Sequence, residues 1–220
     1  MYRGVHNNSG PVNADDIGIV VIAASLGGFK ALLQLLGDLP SDFPVPIVVV
    51  QHLSYRSLLA ELLQQRIRHL RIKWTEDGEE LCAGTVYVGI PNHHVIVNAA
   101  RRISLLQSER INFVRPAADL LFASAADHFG ERAIGIVLTG RLHDGAAGAV
   151  HIKRSGGWVF VQDRVSSECF EMPCSAIQTG AVDYVLSTRM LTKALVALTM
   201  MPGATELFRV PSAKAASRAV

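Results

Sequence analysis

The sequence predicts an α/β fold, namely a doubly wound, mostly parallel sheet with helices on both faces and an antiparallel insertion at one edge. Short β-branched apolar runs recur along the chain, and each is followed by a turn and then by a segment with helically spaced apolar residues. Uninterrupted apolar runs of this length are typical of strands covered on both faces. Repeated strand-then-helix order favours a parallel sheet with crossover helices.

The first unit sets the pattern for the rest of the chain. An apolar run at residues 17–23 enters a Ser-Leu-Gly-Gly turn, and apolar residues at helical spacing follow at 29–36. Four further units keep this order. Their predicted strands lie at residues 46–50, 133–138, 158–162 and 184–186. Their predicted helices lie at residues 58–70, 146–154, 173–179 and 191–200.

The middle of the chain has a different pattern. Three short strand-like pieces at residues 85–89, 95–98 and 103–107 are separated by turn-forming or polar residues. Closely spaced short strands of this kind favour antiparallel pairing. We therefore predict the antiparallel insertion here.

Length and composition predict one domain with a large core. The chain has 220 residues, of which half are hydrophobic, and a chain of this size usually buries about 70–75% of its unfolded surface. We predict a linker-like segment at residues 1–16, a domain at 17–202 and a flexible tail at 203–220, because the two ends are polar or lack periodicity.

Charge and cysteine content argue against several classes of protein. A formal net charge of +2 gives no reason to expect nucleic-acid binding, and no run approaches the roughly 20 apolar residues of a membrane span. The start of the chain lacks the basic and apolar regions of a secretory signal. Cys82, Cys169 and Cys174 complete no zinc-binding set. We expect a cytoplasmic protein with neither membrane insertion nor a metal.

Three polar residues follow predicted strands at the positions where ligand sites form. Ser25 follows the first strand, His52 follows the second, and Asp144 lies in the turn after the strand at 133–138. In open α/β sheets, ligands bind outside the carboxyl ends of the strands. Together the three residues supply a nucleophile, a base and an orienting carboxylate, which is the set needed for acyl transfer.

Each of these residues also has a purely structural interpretation. Ser25 and Asp144 both precede predicted helices and suit helix caps, and a single histidine is more often structural than catalytic. Neither the GxGxxG nor the GxxxxGK[ST] phosphate-binding pattern is present. The G-x-S-x-G elbow is missing, and the chain order Ser, His, Asp differs from that of α/β-hydrolases.

Several short motifs, taken in order, resemble those of one family. The motifs are Ala24–Gly28, Val50–Leu53, Glu76–Glu79, Arg115–Phe122, Leu138–Gly140 with His143–Ala146, and Met172–Pro173 with Ala176–Ile177. Over about residues 17–190 they resemble the successive signatures of CheB-type chemotaxis protein-glutamate methylesterase domains. The resemblance implies that Ser25 is the nucleophile, His52 the base and Asp144 its carboxylate partner.

The resemblance also implies an activity and a partner. It implies hydrolysis of glutamate γ-methyl esters, with deamidation of certain glutamines, on the cytoplasmic domain of methyl-accepting chemoreceptors, and no cofactor. Leu26 stands where the family usually has threonine. The family usually has Thr-Gly-Met-Gly before the aspartate, whereas this chain has Thr139 and Gly140 followed by Arg141, Leu142 and His143, so the methionine and the second glycine are lost.

We expect five residues at the rim of the site to serve as oxyanion-binding or substrate-binding groups. They are Leu26, Gly27, Gly28, Arg141 and His143.

Regulation is expected to differ from that of familiar family members, which carry an N-terminal receiver domain. Residues 1–16 precede the first strand, whereas a domain needs at least about 50, so we expect a separate regulatory partner or constitutive activity. Two other functions stay open at this point. One is a non-catalytic signalling or docking module with the same fold, and the other is a small-ligand domain that uses the turn at Gly27 and Gly28.

Overall fold

The computed structural model describes residues 17–52 and 57–208. In this part of the chain there are nine strands: β1 (Ile19–Ala24), β2 (Ile47–Gln51), β3 (Arg71–Trp74), β4 (Thr85–Val88), β5 (His94–Val97), β6 (Ile103–Leu106), β7 (Ala133–Val137), β8 (Trp158–Gln162) and β9 (Tyr184–Leu186). Seven of them form one parallel sheet in the order β3-β4-β2-β1-β7-β8-β9. Strands β5 and β6 form a separate antiparallel pair.

Helices cover the parallel sheet on both faces. They are α1 (Gly28–Gly37), α2 (Leu59–Arg66), α3 (Ala118–Phe129), α4 (Ala146–Arg154), α5 (Glu171–Gln178), α6 (Thr188–Met200) and the short α7 (Ala204–Phe208), with a 3₁₀ turn at Gly130–Arg132. The first helix shows why this local pattern folds as it does. Leu32, Leu35 and Leu36 recur at helical spacing and are fully buried, so one stripe of the helix packs on the sheet.

The central strand β1 lies between two hydrophobic cores. Val20 and Ile22 point into the core beneath α1, α2 and α6, whereas Ile19 and Val21 point into the core beneath α3, α4 and α5. Successive side chains of a strand point to opposite faces, so a strand covered on both sides must be apolar throughout. The observed sheet confirms the predicted doubly wound α/β class.

The central insertion was predicted in part wrongly. Strand β4 is parallel to β2 and belongs to the main sheet, so only β5 and β6 form the antiparallel insertion. All four residues of β4 are buried, because this strand lies between β3 and β2 inside the parallel sheet. The short length of β4 and its spacing from β5 and β6 in the sequence did not indicate that position.

The predicted helix at residues 58–70 is also too long, and the edge strand β3 was not predicted. The helix α2 ends at Arg66 because Ile67 has an extended backbone, and Gln64 then binds the following chain with its side chain. Gln64 Nε2 donates to Ile67 O at 2.8 Å and Leu70 O at 3.1 Å, and Gln64 Oε1 accepts from Ile72 N at 2.8 Å.

The end of the described chain contains α7 within residues that the sequence led us to predict as a flexible tail. Tyr184 Oη donates to Phe208 O at 3.1 Å, which attaches this helix to β9. The predicted segment at 1–16 and residues 209–220 lie outside the described residues. In the part of the chain that is described, every helix is too short or too polar to span a bilayer.

Candidate active site

The candidate site lies where the sheet changes winding direction. From β1 the chain passes through α1 to β2 on one side, whereas β7 on the other side of β1 is followed by α4 on the opposite face. Loops that diverge in this way leave a crevice at the carboxyl ends of the strands. Ser25 follows β1, His52 follows β2, and Asp144 lies between β7 and α4, so all three border this crevice.

The structure brings His52 and Asp144 into direct contact. His52 Nε2 lies 2.7 Å from Asp144 Oδ2, although the residues are 92 positions apart in the chain. Only 2% of the Asp144 side chain is exposed, against 16% for His52. A hydrogen bond to a carboxylate fixes both the ring orientation and the tautomer of a histidine. Nε2 therefore carries the proton, and Nδ1 is left as the basic ring nitrogen.

Asp144 is held from its other side by the start of α3. Asp144 Oδ2 accepts from Ala118 N at 2.7 Å, and Asp144 Oδ1 accepts from Asp119 N at 3.0 Å. The first N–H groups of a helix lack intrahelical partners and carry a partial positive charge. The carboxylate of Asp144 therefore both caps α3 and receives electrostatic support for its negative charge.

His94 completes this arrangement beneath the site. Its imidazole is fully buried, its Nδ1 accepts from Ala117 N at 3.1 Å, and its Nε2 donates to Glu109 O at 2.9 Å. Ala117 immediately precedes α3. His94 therefore fixes the backbone that leads into the two N–H groups bound by Asp144, a role that sequence reasoning missed.

Asp119 is the second acidic residue next to the site. Asp119 Oδ1 accepts from Gly145 N at 2.9 Å and Gly148 N at 2.8 Å, both at the start of α4. Burial raises the pKa of the Asp119 carboxyl above its ordinary value, the two backbone N–H groups oppose that rise, and the nearby Asp144 charge adds to it. The sequence predicted no role of its own for Asp119, which is one residue of the motif Arg115–Phe122.

The backbone on both sides of Ser25 is held by neighbouring strands and turns. Ser25 N donates to Thr139 O at 3.0 Å, and His52 N donates to Ala24 O at 3.1 Å. Ser25 and His52 line one cavity of about 500 Å³. Within residues 17–52 and 57–208 the Ser25 hydroxyl makes no hydrogen bond to His52, so the structure brings together two members of the predicted triad by contact and the third by a shared cavity.

Two glycines allow this close packing. Gly27 has a φ of 79°, and a Cβ on it would lie 2.6 Å from Glu168 Cβ. A Cβ on Gly140 would lie 2.1 Å from Met172 Sδ and 2.7 Å from Ser25 Cβ. Residues with a side chain disfavour the left-handed conformation, and neither position has room for one, so both turns require glycine.

The predicted rim residues fall into two groups. At the Ser25 turn, Gly28 N donates to Ser25 O at 2.9 Å, whereas the N–H groups of Leu26 and Gly27 have no acceptor among the described residues. Arg141 and His143 have exposed side chains in the other turn. That turn is held from α5, since Leu142 N donates to Glu171 Oε2 at 2.9 Å.

The metal-binding prediction concerns the cysteines and any cluster of metal-binding side chains. The described part of the chain contains no group of three or more His, Cys, Asp or Glu placed to hold a metal, and Cys82, Cys169 and Cys174 are free thiols. The loop at residues 53–56, which follows His52, lies outside the described residues.

Comparison with known proteins assigns the family. A family model described as CheB methylesterase matches residues 20–195, a span that includes Ser25, His52 and Asp144. The chain belongs to the CheB methylesterase family. The crystal structure of the Thermotoga maritima CheB methylesterase catalytic domain matches with a TM-score of 0.79 and 38% identity, over 81% of this chain and 97% of that one.

Two relatives differ in length. A Leptospira interrogans relative is 39% identical over 180 residues, which are 81% of this chain and 93% of its own length. The protein-glutamate methylesterase FrzG of Myxococcus xanthus is 38% identical over 80% of this chain, but the match spans 53% of FrzG. The CheB resemblance predicted from the motifs is therefore confirmed, as is the fold.

Proposed function

We propose that this chain hydrolyses glutamate γ-methyl esters on the cytoplasmic domain of methyl-accepting chemoreceptors, through Ser25, His52 and Asp144. Deamidation of glutamine side chains is proposed as a related activity of the same site. The observation that carries the proposal is the 2.7 Å contact between His52 Nε2 and Asp144 Oδ2 beside the cavity that contains Ser25. Membership of the CheB methylesterase family supports the same reaction.

The first step is attack by Ser25 on the ester carbonyl. His52 Nδ1 accepts the proton of the Ser25 hydroxyl, and the oxygen of Ser25 forms a bond to the carbonyl carbon. The imidazole becomes positively charged in this step. Asp144 stabilises that charge because its negatively charged carboxylate already accepts a hydrogen bond from Nε2–H.

The developing oxyanion needs hydrogen-bond donors next to Ser25. The N–H groups of Leu26 and Gly27 meet this need, because both precede α1 and neither is used by the described backbone. Preorganised donors of this type commonly contribute about 10²–10³ in rate. Gly28 serves instead to close the turn, since its N–H donates to Ser25 O.

Collapse of the intermediate releases the alcohol. The protonated His52 gives its proton to the leaving oxygen, methanol departs, and an ester links Ser25 to the glutamate side chain. Water then attacks this acyl enzyme while His52 takes its proton, the bond between the acyl carbon and the Ser25 oxygen breaks, and His52 returns the proton to Ser25 as the free glutamate carboxylate leaves. With glutamine as substrate, ammonia takes the place of methanol.

The partner and the compartment follow from this substrate. A chemoreceptor exposes its methylated helices to the cytoplasm, so we propose a cytoplasmic enzyme that acts on a protein surface.

A second candidate function is a non-catalytic docking module. Two observations favour it: the Ser25 hydroxyl makes no hydrogen bond to His52 among the described residues, and exposed Arg141 and His143 side chains stand in the turn beside the site. Catalytic hydrogen bonds are often looser without substrate, so we favour the enzyme.

Methanol release from methylated receptor membranes distinguishes the two functions. We expect Ser25→Ala to lower the rate by about 10⁴–10⁶. The matched control is Ser155→Ala, which removes an exposed hydroxyl at the end of α4 and should leave the rate unchanged. Equal background release by the wild-type protein and Ser25→Ala would favour the docking module.

A further inference from the structure

We propose that Asp119 is a positioning residue for the reaction at Ser25. Its carboxylate holds the turn that carries Asp144, while Asp144 holds the helix that carries Asp119. The inference rests on the proposed function, because it concerns how the same reaction is kept efficient. We call this pair of reciprocal interactions, between Asp119 and the α4 start and between Asp144 and the α3 start, the carboxylate clamp.

One half of the carboxylate clamp fixes the turn after β7. Gly145 follows Asp144 directly and has a φ of 94°. Its N–H donates to Asp119 Oδ1 at 2.9 Å, and Gly148 N donates to the same oxygen at 2.8 Å. Both N–H groups lie at the start of α4, where no intrahelical acceptor is available. Asp119 therefore determines where the backbone next to Asp144 lies.

The other half fixes the start of α3. Asp144 accepts from Ala118 N at 2.7 Å and from Asp119 N at 3.0 Å. The residue that holds the Asp144 turn is thus itself held by Asp144. Because Asp119 caps the start of α4, next to Asp144, and Asp144 caps the start of α3, where Asp119 lies, displacement of either carboxylate changes the position of both helix starts.

The two helices leave little freedom at this point. A Cβ on Gly148 would lie 2.5 Å from Phe122 Cβ and 3.1 Å from Asp119 Cα, so α3 and α4 are in close contact where the clamp lies. Asn112 Nδ2 also donates to Asp119 Oδ2 at 3.2 Å. The Asp119 carboxylate is therefore held by donors on both of its oxygens.

Asp119 acts through Asp144 and not on the substrate. The contact it protects is the one between Asp144 Oδ2 and His52 Nε2 at 2.7 Å. The proposed mechanism requires that contact in the step where His52 becomes charged. Misalignment of the Asp144 carboxylate with the His52 ring should therefore lower kcat more than it raises KM. Small displacements of a reacting group can cost about 10²-fold in rate.

The test compares three substitutions at residue 119. Asp119→Ala removes both acceptors, and we expect kcat for methanol release to fall about 10- to 100-fold with KM within about twofold of wild type. Asp119→Glu keeps the charge but moves the carboxylate by one methylene, and should lower kcat similarly. Asp119→Asn keeps one oxygen for Gly145 and Gly148, and should restore kcat to within about threefold of wild type.

Two controls separate positioning from charge and from general stability. Asp127→Ala removes an exposed carboxylate from the same helix and should leave kcat unchanged. Ile134→Val removes one methyl group from the core and should lower the melting temperature but not kcat. Wild-type kcat in Asp119→Glu, or equal loss in Asp119→Asn and Asp119→Ala, would overturn the inference.

A readout other than activity distinguishes failure of the inference about Asp119 from failure of the proposed function. In the wild-type protein, proton NMR should show a strongly deshielded N–H resonance of His52 bound to Asp144, and Asp119→Ala and Asp119→Glu should weaken it while Asp119→Asn keeps it. If the wild-type protein releases no methanol, the proposed function fails, and this resonance still tests the clamp. An unchanged resonance in Asp119→Ala and Asp119→Glu contradicts it.

Discussion

Asp144 has a structural role in addition to the chemical role proposed for it. Its carboxylate accepts a hydrogen bond from His52 Nε2 and two more from backbone N–H groups at the start of α3. Hydrogen bonds to a charged group contribute about 1.5–3 kcal/mol each. The residue proposed to orient the base is therefore also part of the packing between β7 and α3, and its geometry is set before substrate binds.

The raised pKa of Asp119 predicts how stability depends on pH. Below the ordinary carboxyl pKa of 3.8 the group is protonated in the folded and unfolded states alike. Between that value and the raised folded pKa, only the folded state holds the proton, so the folded state loses stability as pH rises. Above the folded pKa, burial and the Asp144 charge disfavour the ionised form in full.

Urea unfolding of the wild-type protein and Asp119→Asn from pH 4 to pH 8 tests this sign. Asparagine does not ionise, so it serves as the reference. We expect the free energy of unfolding of the wild-type protein, minus that of Asp119→Asn, to decrease as pH rises and then become constant. A difference that grows with pH contradicts the assignment.

At this scale, the sequence indicated some candidate residues and not others. Ser25, His52 and Asp144 were identified as candidates because each follows a buried apolar run, which places it at the carboxyl end of a strand. His94 and Asp119 were not, because their partners are backbone N–H groups that only the tertiary fold brings near. No pattern in the sequence marks a side chain whose acceptor role depends on a distant helix start.

Among the elements, the connection from α2 to β3 depends on one side chain. The Gln64 side chain forms hydrogen bonds with three backbone groups after the end of α2 and at the start of the edge strand β3, namely Ile67 O, Leu70 O and Ile72 N. An apolar residue there leaves those backbone groups without protein partners.

Gln64→Leu should therefore lower the free energy of unfolding by about 1–3 kcal/mol, the usual result of removing partners from partly buried polar groups. Gln65→Leu is the matched control, because the neighbouring Gln65 is exposed. Chemical denaturation of both variants provides the measurement. Equal stability of the two variants would show that the Gln64 side chain does not hold β3.

Two glycine substitutions are expected to differ, one in a turn beside the site and one at the end of α1. Gly140→Ala places a methyl group against Met172 Sδ and Ser25 Cβ, so it should displace Ser25 and lower kcat for methanol release. Gly37→Ala at the end of α1 meets nothing within 4 Å, and should raise stability by about 0.4–1 kcal/mol through the unfolded state. Kinetics and thermal unfolding of both variants check this, and wild-type kcat in Gly140→Ala is the adverse result.

The element predictions failed where local pattern and tertiary position disagree. Strand β4 is as short as β5 and β6, yet it pairs with β2 in the parallel sheet. Helix α3 was not predicted, although buried Leu121, Phe122 and Ala125 have helical spacing, because the segment was interpreted only as a motif. The edge strand β3 carries exposed Arg71, which conceals its strand character.

At the scale of the whole molecule, the sheet order explains why the site is where it is. Strand β1 has β2 on one side and β7 on the other, so the residues that follow these three strands meet at one edge. This topology brings together groups separated by 92 positions in the chain. The repeated strand-then-helix pattern was enough to predict that edge, whereas the register that aligns the groups required the fold.

The most direct measurement of the central claim is covalent labelling of the nucleophile. An alkyl fluorophosphonate reacts with a serine hydroxyl that a nearby base activates, and peptide mass spectrometry identifies the labelled residue. We predict one adduct, on Ser25, and its loss in His52→Ala. Labelling of another serine, or equal labelling of Ser25 after His52 is removed, would contradict the claim that these chain-distant groups form one catalytic unit.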